Sequence, residues 1–119
     1  MHKPAMYKPI LLLAVLSYAQ VTLADYSLWI ENNDFSRFKT LSVPDGKRYC
    51  FCLANTQTAY IDGRGAGDVK LFWKSDCTGD YDIGSNKVTS NAQWVNSVSF
   101  GRSGISSTWG RGKSCNWYA

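Results

Sequence analysis

The sequence is poor in the residues that most hydrolytic and transfer chemistry needs. It holds one histidine, His2, and one glutamate, Glu31, in 119 residues. Prolines number three, and no Asn-x-Ser/Thr triplet offers an N-glycosylation site. After residue 24 no apolar run approaches the roughly 20 residues that cross a bilayer. The acidic residues do not form a run, and no stretch carries a sustained 3.6-residue apolar period, so helix signals are scarce.

What the N-terminus does contain has a directional order. Lys3 and Lys8 come first with no acid, then the apolar run Ile10–Leu16, then the mixed segment Ser17–Thr22 and finally Leu23 and Ala24. Charge, apolar stretch and small residue in that order predict a cleavable secretory signal over residues 1–24, with Ala19 as an alternative cut. A membrane anchor fits less well, because Ser17, Gln20 and Thr22 interrupt the run too early. Taking 24 residues from 119 leaves 95, enough for one domain, residues 25–119. Loss of Lys3 and Lys8 lowers the net charge from +4 to +2. That balance falls short of the basic stripe typical of a nucleic-acid binder.

Cleavage also removes His2. A mature chain without imidazole has no Ser-His-Asp or Cys-His nucleophile and no His-ligated zinc. A glycosidase-type carboxylate pair is not recognisable around the single glutamate. The expectation is a protein that is not an enzyme and uses no cofactor or metal.

Four cysteines, Cys50, Cys52, Cys77 and Cys115, remain in the exported chain. An even number in an oxidising compartment predicts a disulfide framework, with three pairings open. Cys50 and Cys52 lie in a strand-like run and point to one face. A ring between them is strained, so each is expected to reach out, one to Cys77 and one to Cys115, in an order left open. Zinc is disfavoured by the missing Cys-x-x-Cys spacing and histidine.

Short apolar or alternating runs recur at Tyr26–Ile30, Arg37–Val43, Arg48–Leu53, Thr58–Ile61, Val69–Trp73, Tyr81–Ile83 and Val95–Phe100. Turn-forming clusters separate them, among them Pro44-Asp45-Gly46 and Thr78-Gly79-Asp80. This rhythm predicts an all-β sandwich or barrel. The segment Gly63–Gly67 divides the domain into halves, about 25–62 and 68–100, that resemble each other around Ser27–Ser36 and Val69–Tyr81. The Gly/Ser/Arg-rich stretch from Gly101 to Lys113 is expected to be loop within a tail, 101–119, that Cys115 pins.

The pattern Phe72-x4-Cys77-x-Gly79, followed by Tyr81 and closing at Trp94–Val98, resembles the Greek-key motif of the βγ-crystallin superfamily. Secreted microbial members of that superfamily include small antifungal and killer-toxin-like proteins. The resemblance implies a small disulfide-stabilised Greek-key β-sandwich of two similar halves. Its pattern departs at Cys77, where the family prefers an aromatic, and in the first half its glycine falls on Arg37. The family's calcium positions correspond to Ala92, Gln93, Asn96 and Ser97, a set without the carboxylates that calcium favours.

Other features have plainer readings. Asp76, Asp80 and Asp82 cluster without the glycine and glutamate of an EF-hand loop, as in a solvated turn. Gly110–Ser114 lacks the first glycine of a phosphate loop, Ser107 standing in its place. Trp29 and Trp94, in strand-like runs, are expected in the core, and one of Phe72 and Trp73 faces out. The candidate binding residues are Trp73, Trp109, Trp117 and Tyr118, which can stack on sugars or partner surfaces. Arg102, Arg111 and Lys113 make the tail the most basic region, suited to an anionic surface.

These readings converge on a secreted, extracellular, non-enzymatic binding protein that acts on another organism, as an antimicrobial, killer-toxin-like protein or host-directed effector. The alternative is a carbohydrate- or cell-wall-binding module, with a small hydrolase behind both. Its expected partner is an extracellular target such as a wall glycan or a target-cell surface, with no specific nucleic acid.

Overall fold

The computed structural model describes residues 25–33, 37–53, 57–113 and 115. The leader, 1–24, and the tail aromatics Trp117 and Tyr118 lie outside the described residues. Within them the protein is nearly all β: β1 (Tyr26–Asn32), β2 (Phe38–Val43), β3 (Arg48–Cys52), β4 (Thr58–Asp62), β5 (Asp68–Phe72), β6 (Tyr81–Ile83), β7 (Val88–Ser90), β8 (Ser97–Gly101) and β9 (Thr108–Lys113). A single turn of 3-10 helix, Ala92–Trp94, precedes β8.

The strands form two sheets, ordered β2-β1-β4-β7 and β6-β5-β8-β3-β9. The sheets do not correspond to the two halves of the chain. β3, from the first half, lies beside β8, and β7, from the second, lies beside β4. Pairing is antiparallel except for β9, which runs parallel to β3 with Cys50 opposite Trp109.

Period-two alternation explains which side chains are inside. Leu28 and Ile30 of β1, Leu41 and Val43 of β2, and Ile61 of β4 face Phe51, Val69, Leu71, Val98 and Phe100 of the other sheet in one core. The odd residues of β1 must then face outward. That corrects the expectation for Trp29, which is half-buried on the outer face of the four-stranded sheet. Trp94 is likewise half-buried, in the 3-10 turn at the core margin and not within a strand.

The stretch expected to be loop is also corrected. Residues 108–113 form strand β9, which takes up the free edge of β3. Gly110 permits the approach, because a Cβ there would overlap the Phe51 ring. Arg111 and Lys113 thus belong to a strand.

Both staples leave the outer face of β3, where Arg48, Cys50 and Cys52 alternate with the inward Tyr49 and Phe51. Cys50 bonds Cys77 and Cys52 bonds Cys115, with Cα–Cα separations of 6.2 and 4.5 Å. Each adjacent cysteine reaches out as its shared face requires. Where the β4–β5 connection meets the β6–β7 turn, Gly63 packs so tightly that a Cβ would overlap the Gly84 carbonyl oxygen.

Candidate functional site

The site is built from the loop between β5 and β6. β5 brings Val69 and Leu71 to the core and ends at Phe72, which is 6 % exposed. Alternation turns Phe72 to the outer face of the sheet, where it is covered, and the next residue, Trp73, beyond the strand, is the solvent-exposed member of the pair at 46 %. The loop beyond it is fixed at its base. Ser97 at the start of β8 accepts the Cys77 backbone N–H at 2.9 Å and donates its own hydroxyl proton to the Lys74 carbonyl. The Cys50–Cys77 disulfide ties the same segment to β3. Gly79, at φ +80°, supplies the left-handed conformation that closes the turn before β6.

Trp73 does not stand alone. Its ring lies 4.0 Å, centroid to centroid, from Trp94 with the planes 31° apart. The Asn96 amide donates to the Trp73 carbonyl at 2.7 Å and to the Trp94 carbonyl at 3.3 Å, which locks the two backbones together. Beside them the Gln93 amide donates to Asn33 Oδ1 at 2.8 Å, linking the 3-10 turn to the end of β1. The result is an exposed indole on a half-buried one, surrounded by side-chain amides. Such a surface offers a preformed apolar ring face and neutral hydrogen-bonding groups, at little ordering cost on binding.

The same contacts define what Gln93 and Asn96 do. Both amides serve the scaffold, and Ser97 braces the loop. No group of three His, Cys, Asp or Glu side chains suited to a metal occurs among the described residues. Asp76 accepts a hydrogen bond from the Thr78 hydroxyl within the exposed turn, and Asp80 and Asp82 are exposed as well.

The remaining predicted residues are dispersed. Trp109 is half-buried on β9, opposite Cys50 and so on the outer face of the five-stranded sheet. Trp73 leaves β5, three strand spacings away, about 14 Å across the sheet. The structure therefore does not join Trp73 and Trp109 into one patch. Arg102 is exposed and acts through its backbone: its N–H donates to the Lys47 carbonyl, and its carbonyl accepts from Arg48.

Between the β5–β6 loop and the 102–107 loop lies an open groove of about 580 Å³, floored by Arg48, Asp68, Lys70 and Ser99. Arg48 was not visible as a key residue in the sequence. Its side chain is 4 % exposed and reaches Asp68 at 2.8 Å, the Ser99 hydroxyl at 2.8 Å, the Ser99 carbonyl at 3.2 Å and the Arg102 carbonyl at 3.3 Å. With those acceptors engaged, the guanidinium holds the loop to the sheet and has little capacity to activate a substrate. Its alternation with Cys50 and Cys52 is the signal that marks it as an outer-face residue. Compared with family models, curated proteins and solved structures, the chain matches none.

Proposed function

We propose that the protein is a secreted, non-enzymatic binding protein that acts on another organism, as an antimicrobial, killer-toxin-like protein or host-directed effector. Trp73 packed at a tilt against Trp94 is the observation that carries this reading. A large ring is held exposed by Asn96 and by a disulfide-tied, serine-braced loop, an arrangement that serves contact with an outside surface. Export rests on the 1–24 leader together with two disulfides, which persist in an oxidising compartment.

The fold is read as a pair of βγ-crystallin-like Greek keys that exchange their third strands. Support comes from the orders β2-β1-β4-β7 and β6-β5-β8-β3, in which each run of four strands lends its third to the other sheet. The bracket from Ser97 to the loop of the Phe72–Gly79 motif supports the same reading, because it closes the second hairpin at the motif's own positions.

A second reading, a carbohydrate- or wall-binding module, is favoured by the aromatic and amide chemistry around Trp73 and by the partly exposed Trp109. The experiment is to apply the pure disulfide-bonded protein to fungal and plant cells and score growth and death. The reading predicts inhibition or death that falls about tenfold in potency in Trp73→Ala at unchanged Tm. Inertness on both kinds of cell overturns it, while retention on isolated walls without any cellular effect favours the module.

A further inference from the structure

A different surface has a composition of its own. On the outer face of the four-stranded sheet Trp29 lies parallel to Phe38, with centroids 4.4 Å apart and planes 10° apart. Phe38 is 60 % exposed, so the outer side of this stack is open. Glu31, the only glutamate, lies two residues along β1 on the same face. Its Oε1 accepts the Trp29 indole N–H at 3.0 Å and the Tyr60 hydroxyl at 3.1 Å. Asp62 stands across from Trp29 on β4 and is held by the Arg64 guanidinium at 2.7 and 2.9 Å.

These contacts orient the face. Glu31 Oε2 has no partner among the described residues, so an acceptor with a fixed direction stands beside an open ring face. Partial burial pushes the Tyr60 phenol above its ordinary range, and the neighbouring Glu31 carboxylate adds to this. The phenol therefore stays protonated and keeps donating to Glu31. The Arg64 hydrogen bond holds the Asp62 carboxyl below the usual range. Around the aromatic pair the outward residues are the small hydroxyls Ser27, Thr40, Ser42 and Ser90 together with the exposed Val88 on β7, placed by the registers of β1, β2, β4 and β7.

Charge and area narrow the occupant. Asp62 is neutralised by Arg64, so the carboxylate that bears on the ring face is Glu31. It disfavours an anionic group placed directly against it, while the exposed Arg37 and Lys39 flank Phe38 at the start of β2. A single aromatic stack in a hydroxyl surround is small beside the ~800 Å² per partner of a stable protein interface. What fits is a ring with an apolar C–H face and hydroxyl donors at its edge. We propose that the Trp29–Phe38 stack with Glu31 is a binding site for a neutral glycan chain, the ring lying on Phe38 and a sugar hydroxyl donating to Glu31. This rests on the reading of the protein as a surface binder but uses none of the residues around Trp73.

The test is titration of the full mature protein with a neutral β-glucan hexasaccharide, chitohexaose and polygalacturonate, followed by calorimetry and indole fluorescence. The expected result is binding of a neutral oligosaccharide, indifference to polygalacturonate, and a Kd raised about tenfold in Phe38→Ala. Because Phe38 is exposed, that variant keeps its fold, and Glu31→Gln, which preserves shape, is expected to weaken binding several-fold. Absence of binding to both neutral sugars overturns the site. So does binding that survives Phe38→Ala and is lost in Trp73→Ala, an outcome that leaves the broader binding function standing. A concentration-dependent dimer broken by Phe38→Ala assigns the face to a second copy and overturns the glycan.

Discussion

Arg48 and Asp68 meet at 2.8 Å on the outer face of the five-stranded sheet, the arginine side chain 4 % exposed and the aspartate 31 %. Since Arg48 also binds both the hydroxyl and carbonyl of Ser99, it joins β3 to β8 and steadies the 102–107 loop. Asp68→Asn keeps the shape and removes the counter-charge, and urea unfolding should show a loss of about 1–3 kcal/mol. Arg48→Ala should cost more, about 3 kcal/mol or above, because it abandons several buried acceptors at once. Equal small losses would mean that the pair is screened by water and holds nothing.

The two disulfides constrain unequal loops, with sequence separations of 27 and 63. In the chain-entropy account these contribute about 3.6 and 4.3 kcal/mol. Removing Cys50–Cys77 should still have the larger effect on Trp73, because that bond ties down its loop. Proteolysis within residues 74–80 measures this: the Cys50→Ser/Cys77→Ser double variant is expected to be cut there, and the Cys52→Ser/Cys115→Ser variant is not.

Ser97 serves two backbone groups, the Cys77 N–H and the Lys74 carbonyl. Ser97→Ala leaves both without a partner in a partly buried place and should cost about 2 kcal/mol. The lower Tm should be accompanied by faster amide exchange at Cys77. Unaltered exchange there would show that the bracket does not restrain the loop.

Much of the architecture was readable from alternation alone. Leu28 and Ile30 in β1, and Val69 and Leu71 in β5, repeat at period two and went to the core as that pattern dictates. Membership of a strand-like run does not by itself put Trp29 in the core: between the inward Leu28 and Ile30 it has to face out. β7 is three residues long, too short for a pattern to register. β9 is hidden by its two glycines, Gly110 and Gly112, which have low strand preference, and is held by its parallel edge pairing to β3 and by the nearby Cys115 staple.

The candidate surfaces were less legible, for a physical reason. Trp73 is marked by its position after Phe72, but its packing against Trp94 depends on Asn96 bridging their two backbone carbonyls, and no local rule encodes such a bridge. The Trp29–Phe38–Glu31–Tyr60 group is assembled from three strands, so only the sheet register brings it together.

Alkaline titration checks the Glu31–Tyr60 contact. Tyr60 has its phenol pushed above the ordinary value of 10.0, first by partial burial and then by Glu31. A raised value in the folded state means that the folded protein holds this proton more tightly than the unfolded chain. Its contribution to stability is complete below about pH 10, the unfolded value, and is lost as pH rises through the folded value. Glu31→Gln should move the Tyr60 titration toward its ordinary value. A Tyr60 titration indifferent to Glu31→Gln would show that burial alone sets it.

Contact through Trp73 is tested most directly by retention of the disulfide-bonded protein, residues 25–119, on intact fungal or plant cells, comparing wild type with Trp73→Ala at matched Tm. Saturable retention of the wild type and a loss of about tenfold in apparent affinity in the variant are expected. Equal retention of both proteins, or retention of neither, contradicts such contact.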